Sequence, residues 1–338
     1  MGTTYPQTLV DPRARSTTGD QFRRPSATKK RLLIVVNPYA TTVSHRLKNL
    51  VVYALKSRYE VEAIDTESPN HATDITRKIG RDDCDLVVSF GGDGTANEIA
   101  SGLVGTGIPM SFLPGGATNV ICRTLGIPND IVEATEHLLT VADDFRPWQI
   151  DLGRINDGYF LFACGVGLDA LAFQRWDEHP KLKARLGEYY WLNSVANAML
   201  RDYIRDPYCF QIEVDGMEPF SSVQLVLQNS DPATYFGDRQ LHICEDVHLT
   251  SATLSMTSLK QMKLREVPYL GYRVLSGKPI SNLKSIDHAE GFTTAKVTTG
   301  CSRHGELRPF PVQVDGDYIG DFAEINFGIA PRALTVVA

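Results

Sequence analysis

No C-x-x-C pair occurs anywhere in the chain. Its six cysteines (Cys84, Cys122, Cys164, Cys209, Cys244 and Cys301) lie far apart in sequence, which speaks against a thiolate metal cluster. With no secretory signal pattern at the start, scattered thiols fit a reducing cytosol. Long apolar runs are also missing: "YFLFACGVGL" falls short of the roughly 18 residues a spanning helix needs. Nor is there a basic excess. A net charge of −6 and a pI near 5.8 disfavour general nucleic-acid binding. "MGTTYP" places Pro6 where a myristoylation signal wants Ser or Thr.

What the chain does have is ordinary globular composition, 43% hydrophobic and 22% charged, over 338 residues, enough for two domains. Residues 1–30 differ from the rest. They are polar and punctuated by Pro and Gly, and through Arg31 they carry seven basic residues against Asp11 and Asp20. This segment reads as a mobile basic tail, a solvated leader first and an anionic-membrane contact second.

From Arg31 a βα rhythm begins. "RLLIVV", "YEVEAI", "DLVVSF" and "IPMSFLP" read as strands, and helical spacing separates them, as in Val43, Leu47, Leu50, Val51, Ala54 and Leu55, expected on one face. Near-continuous apolar strands alternating with helices imply a parallel sheet covered on both faces, with a ligand crevice along one edge. Two glycine loops follow two successive strands at that edge: Gly91-Gly92-Asp93-Gly94-Thr95 and Pro114-Gly115-Gly116-Ala117-Thr118-Asn119. Glycines before a helix start let backbone N–H groups approach an anion. Neither loop reads G-x-G-x-x-G and no G-K-[ST] follows, so the dinucleotide and Walker fingerprints both fail. An aspartate inside the loop would repel a bare pyrophosphate. It makes sense beside magnesium or as a proton acceptor, which points to phosphoryl transfer.

"VVSFGGDGTANEIASGL" followed by "LPGGATNVICRTLGIP" resembles the catalytic domain of the diacylglycerol kinase and sphingosine kinase family, in particular its bacterial lipid-kinase branch. "NPYA", "IDTESPNHA", "DLGRINDGYFLFACGVGLDA", "PVQVDGDYIGD" and "PRALTVV" extend the similarity over nearly the whole chain beyond the tail. The resemblance implies ATP and Mg2+ as cofactors. It places Asn37, Thr41, Thr66, the run Gly92, Asp93, Gly94, Thr95, Ala96, Asn97 and Glu98, and Thr118 around the nucleotide. It also implies that the acidic residue after the second Asp-Gly, here Asp317 where close relatives often carry Glu, accepts the proton of a lipid hydroxyl. Asp93 is the competing base and the candidate magnesium ligand.

After Trp148 the pattern changes to period two, as in "YCFQIEV", "VQLVLQ", "ATLSMTS" and "AKVTT", which reads as antiparallel sheets packed as a sandwich. Two helical stretches interrupt it, "LKARLGEYYWLNSVANAML" and "LKQMKLREVPYLGYRVLSG". Tyr189, Tyr190 and Trp191 in the first either pack helix on sheet or line an acyl-chain pocket. "EVDGME" and "QVDGDY" both signal Asp-Gly hairpins, and nothing in their residues separates them. "HICEDVHLTSATL" places Glu245 and Asp246 where relatives hold a structural magnesium in an acidic loop. Without the Asp-Gly of that loop, a solvated turn is expected.

The expected architecture is an α/β nucleotide-binding domain with a parallel sheet (31–147 plus about 328–338), joined to an antiparallel β-sandwich lipid domain (148–327). The active site lies in the interdomain cleft. The expected activity is ATP-dependent phosphorylation of a lipid hydroxyl, with diacylglycerol first among substrates. The partner is a lipid at a membrane surface, with no nucleic acid, and a homodimer is left open. The expected location is cytoplasmic or peripheral on the inner membrane face. A NAD kinase-like enzyme with a soluble substrate and a catalytically weak nucleotide- or lipid-binding module are the alternatives.

Overall fold

The computed structural model describes residues 29–178, 188–203, 206–263, 265–300 and 307–338. The basic tail, apart from its last two residues, lies outside them. Four parallel strands open the fold: β1 (Lys30–Val36), β2 (Tyr59–Asp65), β3 (Leu86–Gly91) and β4 (Met110–Pro114), in the order β2-β1-β3-β4. β3 and β4 are buried along their whole length, as expected of strands covered on both faces, whereas the edge strand β2 is mostly accessible. Helices α1 (His45–Leu55), α2 (His71–Arg77) and α3 (Asp93–Leu103) make the crossovers, followed by α4 (Val120–Thr124) and α5 (Ile131–Val141). Two starts carry side-chain caps: Ser44 Oγ accepts from Leu47 N at 3.2 Å, and Asp130 accepts from Val132 and Glu133 N. The chain steps from β1 outward to β2 and then back across to β3. The carboxyl ends of β1 and β3 therefore flank a switch point, where an open sheet of this kind leaves a crevice.

The sheet does not stop at β4. The terminal strand, Glu324–Val336, meets β4 in parallel at Val336 and runs antiparallel to Trp148–Ile155 and to Thr294–Thr299. One ten-stranded mixed sheet thus passes from the α/β half into the antiparallel half. A second, six-stranded antiparallel sheet includes Ala163–Val166, Gln224–Gln228, Leu254–Leu259 and the hairpin Phe310–Val314 with Asp317–Phe322. Apolar residues of both sheets form one core between them, with the Phe210 and Phe310 rings 5.5 Å apart. Asp151 ties the bulged terminal strand in place, accepting from Arg332 N at 2.8 Å and Ala252 N at 2.6 Å, with Arg332 at φ 52°.

The helices of the second half differ from expectation in detail. The first covers Glu188–Ala198 and ends in a π-helical turn at Met199–Tyr203, its expected start lying outside the described residues. The second shrinks to Val267–Leu275. Leu259 belongs to a strand, and Pro268, with no N–H to donate, fits only the first helical turn. A third helix, Leu168–Asp177, was not anticipated. No helix among the described residues is long and apolar enough to cross a membrane.

Candidate active site

The two glycine loops meet backbone to backbone beside the switch point. Gly115 N donates to Gly91 O at 2.8 Å, and Thr42 N, from the loop after β1, donates to Gly115 O at 3.0 Å. A Cβ on Gly116 would stand 2.7 Å from Gly92 Cα, and one on Gly115 would stand 2.9 Å from Gly91 Cα. The glycines are therefore needed for this contact whether or not an anion is bound. Asn119, at φ 51°, shapes its own loop: its Oδ1 accepts from Gly116 N at 2.8 Å, and its Nδ2 reaches Asn129 Oδ1 at 2.8 Å. From the loop after β1, Asn37 Nδ2 donates to Thr95 Oγ1 at 3.0 Å.

Three carboxyl groups converge on this corner. Asp93 is partly buried, and its two oxygens accept from Val120 N at 3.0 Å and Ile121 N at 3.1 Å. Burial outweighs those N–H groups and, with Asp315 and Asp317 nearby, pushes the carboxyl up to about 7. Asp315, 4% exposed, accepts from Leu161, Phe162 and Ala163 N at 2.7, 3.0 and 3.1 Å and from Asn97 Nδ2 at 2.6 Å. Burial pushes it up to about 6 against those donors. Asp317 is exposed, and its carboxylate lies so close over Gly94 that a Cβ there would collide with it.

These groups open on one cavity of about 710 Å³. One end is polar and bounded by the glycine loops and Asp317. The rest runs into apolar wall built by Phe173, Trp176, Trp191, Val226, Leu270 and Val274. A cavity lined both by polar loops and by an apolar wall suits a substrate that is part polar and part hydrocarbon.

Comparison with known proteins agrees with this geometry. Residues 31–150 match the family model described as the diacylglycerol kinase catalytic domain. A Bacillus subtilis (strain 168) protein named diacylglycerol kinase is 27% identical over 299 residues, 86% of this chain and 91% of its own. A Streptococcus pneumoniae serotype 4 protein named "Putative lipid kinase" is 34% identical over 223 residues, 63% of this chain and 70% of its own. The chain belongs to the diacylglycerol kinase catalytic-domain family. The fold agrees: a solved structure of a "putative diacylglycerol kinase" from Bacillus anthracis str. Sterne superposes at a TM-score of 0.68. It shares 23% identity and covers 91% of this chain and 96% of its own.

Within this family fold, the expected nucleotide residues divide. Asn37, Thr41, Gly92, Asp93, Gly94, Thr95 and Thr118 line the cavity together with Asp317. Thr66, Ala96, Asn97 and Glu98 do not. Thr66 is buried, with its N–H on Val36 O at 2.8 Å. Glu98 accepts from Asn70 N at 2.9 Å and Ala72 N at 3.2 Å, fastening the start of α2, and Asn97 clasps Asp315 and Tyr159 O. Ala96 is buried in α3.

Each oxygen of Asp93 accepts one backbone N–H of α4, so the residue is tied to α4 while it lines the cavity, and each oxygen keeps a lone pair for a cation. No group of three or more His, Cys, Asp or Glu side chains among the described residues is arranged to hold a metal. Asp246 is exposed at φ 58° in its turn, while Asp231 pairs with His242 at 2.7 Å.

Of the aromatic trio, Trp191 stands on the cavity wall, 6.1 Å from the Phe173 ring. Tyr190 is not among the cavity residues, and the Tyr189 side chain lies outside the described residues.

Two functional candidates escaped sequence reading. Asp315 was passed over as turn chemistry. Asp169, on the cavity wall, accepts from Gln224 Nε2 at 2.8 Å and Gln313 Nε2 at 3.2 Å, and burial raises its carboxyl above the ordinary value. The only sequence signal for Asp169 was an acid within an otherwise apolar run.

Proposed function

We propose that the chain is an ATP-dependent lipid kinase that transfers the γ-phosphoryl group to a lipid hydroxyl, with diacylglycerol as the substrate. The observation that carries this reading is one cavity lined by the paired glycine loops, the Asp317 carboxylate and an apolar wall. In this reading the nucleotide phosphates rest on the N–H groups of the glycine loops and on the start of α3, where the helix dipole favours negative charge. Acyl chains occupy the apolar arm, which brings the lipid hydroxyl to the polar mouth.

Asp317 is the general base. It is exposed to the cavity, stands over Gly94, and is the carboxylate of the three that carries the least burial. It accepts the hydroxyl proton as that oxygen bonds to the γ-phosphorus, while the bond from the γ-phosphorus to the bridging oxygen breaks and ADP leaves with that electron pair. Asp93 ties α4 to α3 through its two backbone hydrogen bonds. As a cavity carboxylate it would also be the residue to hold magnesium, which when bound would neutralise charge on the phosphates.

The test is transfer of labelled phosphate from ATP to a panel of diacylglycerol, a sphingoid base, a polyprenol and a glycolipid. Label is expected in diacylglycerol above the other lipids. Transfer to NAD with none to any lipid overturns the reading, and so does nucleotide binding without transfer to anything.

A further inference from the structure

The helix Val267–Leu275 roofs the apolar arm of the cavity. Val267, Leu270 and Val274, about one turn apart, stand among the cavity residues. Its other side turns two tyrosines outward, Tyr269 at 53% and Tyr272 at 55% exposure, and no residue of the helix is buried. A helix on a water-facing surface ordinarily shows charge there, not aromatic rings. The charge lies alongside instead. Between 260 and 284 stand Lys260, Lys263, Arg265, Arg273, Lys278 and Lys284 against the single acid Glu266, in a chain of net charge −6. Arg273 and Lys278 sit over the Tyr269 and Tyr272 rings, at 5.8 and 5.1 Å. Glu266 lies 3.7 Å from Lys263 and 3.9 Å from Arg265, and Asp287 pairs with Lys260 at 2.9 Å.

A short amphipathic helix with outward tyrosines and a basic rim has the composition of an element that lies in a lipid headgroup layer. Basic clusters are drawn to anionic leaflets, which supplies the charge complementarity. We infer that the helix Val267–Leu275 docks on an anionic bilayer surface and sets the apolar arm of the cavity against the membrane that supplies the lipid. The inference rests on the lipid-kinase reading for what enters the cavity. The docking itself rests on the charge and aromatic pattern.

The experiment is sedimentation of the full chain with vesicles of phosphatidylglycerol and phosphatidylcholine, beside vesicles of phosphatidylcholine alone. The variants are Tyr269→Ser with Tyr272→Ser, Arg265→Gln with Lys278→Gln, and a deletion of residues 1–28. Binding is expected to require the anionic lipid and to weaken with salt, and each paired substitution is expected to lower it about tenfold or more. With a short-chain diacylglycerol dissolved as monomer, both paired variants are expected to keep activity within about twofold. This is because none of the four residues lines the cavity.

Equal binding to both vesicle types overturns the docking. Wild-type binding by both paired variants does the same, as does binding abolished by the tail deletion alone. The absence of transfer to the dissolved diacylglycerol would instead sink the kinase reading, and the vesicle result would still decide the docking.

Discussion

The tripeptide Val-Asp-Gly closes a hairpin twice in this chain, and the two copies live in opposite surroundings. Asp215 is exposed. Its carboxylate accepts from Thr294 Oγ1 at 2.6 Å, Thr294 N at 2.9 Å and Thr293 Oγ1 at 3.0 Å, and those hydrogen bonds hold it below the ordinary carboxylate range. Asp315 is buried among backbone donors of the 161–163 segment and is held above that range.

The turns differ too. Asp315 and Gly316 both have positive φ, 48° and 90°, and Val314 pairs directly with Asp317, which is the two-residue turn that Asp-Gly favours. At the other hairpin only Gly216 has positive φ, 76°, and the loop is longer. The tight turn fixes where the next residue goes, and that residue is Asp317, over Gly94. The same three residues are therefore a surface reversal in one place and the mount of a candidate base in the other.

The largest way to break this comparison is Asp317→Asn. Phosphoryl transfer is expected to fall about 10²- to 10⁴-fold, measured as kcat under saturating ATP, with the melting temperature little changed. Wild-type rates would remove the residue from the reaction. Next comes Gly94→Ala, which pushes the Asp317 carboxylate from its place without touching it chemically. A loss on the order of tenfold or more in kcat is expected with folding retained, and unchanged turnover would show that the carboxylate works from another position.

Asp315→Asn acts on stability. It replaces with a donor one of the two oxygens that accept from three backbone N–H groups, so denaturant unfolding should show a loss of about 1–3 kcal/mol, while Asp215→Asn, at an exposed group, should shift it far less. Comparable losses in the two variants would mean that burial does not distinguish the hairpins.

The subtlest difference is in pH dependence. Asp93 and Asp315 have folded values raised to about 7 and about 6, so in the protonated form each contributes stability that is complete below the ordinary carboxylate value near 3.8. That stability is lost as pH rises through the folded values. Asp215 has the opposite sign: its contribution is present above the ordinary value and is lost as pH falls through its lowered one. Unfolding followed from about pH 4 to 8 should therefore show a declining arm that flattens in Asp315→Asn and persists in Asp215→Asn. An arm unchanged in Asp315→Asn would contradict the assignment.

Much of the fold was legible from pattern alone. The buried strands β3 and β4 read as continuous apolar runs because both faces of a parallel sheet are covered; Phe210–Val214 alternates because one of its faces meets the core, whereas Leu254–Leu259 alternates in sequence and is buried along its whole length. The paired glycine loops were visible as motifs, yet the reason for the glycines was not. Gly92 and Gly116 touch across strands that are neighbours only after folding.

Helix ends were harder to read. Pro268 and the strand ending at Leu259 cut a long helical-looking run to nine residues, because strand pairing with Gln224–Gln228 claims the start of it. Within the run Gly92 to Glu98, proximity in sequence hid three destinations. Alternate faces of one helix turn toward the cavity, toward α2 and toward the second hairpin.

By itself the sequence determined which segments could be strands, where phosphate-binding loops were chemically permitted, and that Asp-Gly would turn the chain at two hairpins. These are local properties, set by side-chain period, Cβ sterics and backbone freedom. Only the tertiary structure decided which aspartate is buried, which stands over Gly94 and which faces water. Those outcomes depend on desolvation and on donors from segments distant in sequence: residues 161–163 for Asp315 and residues 293–294 for Asp215.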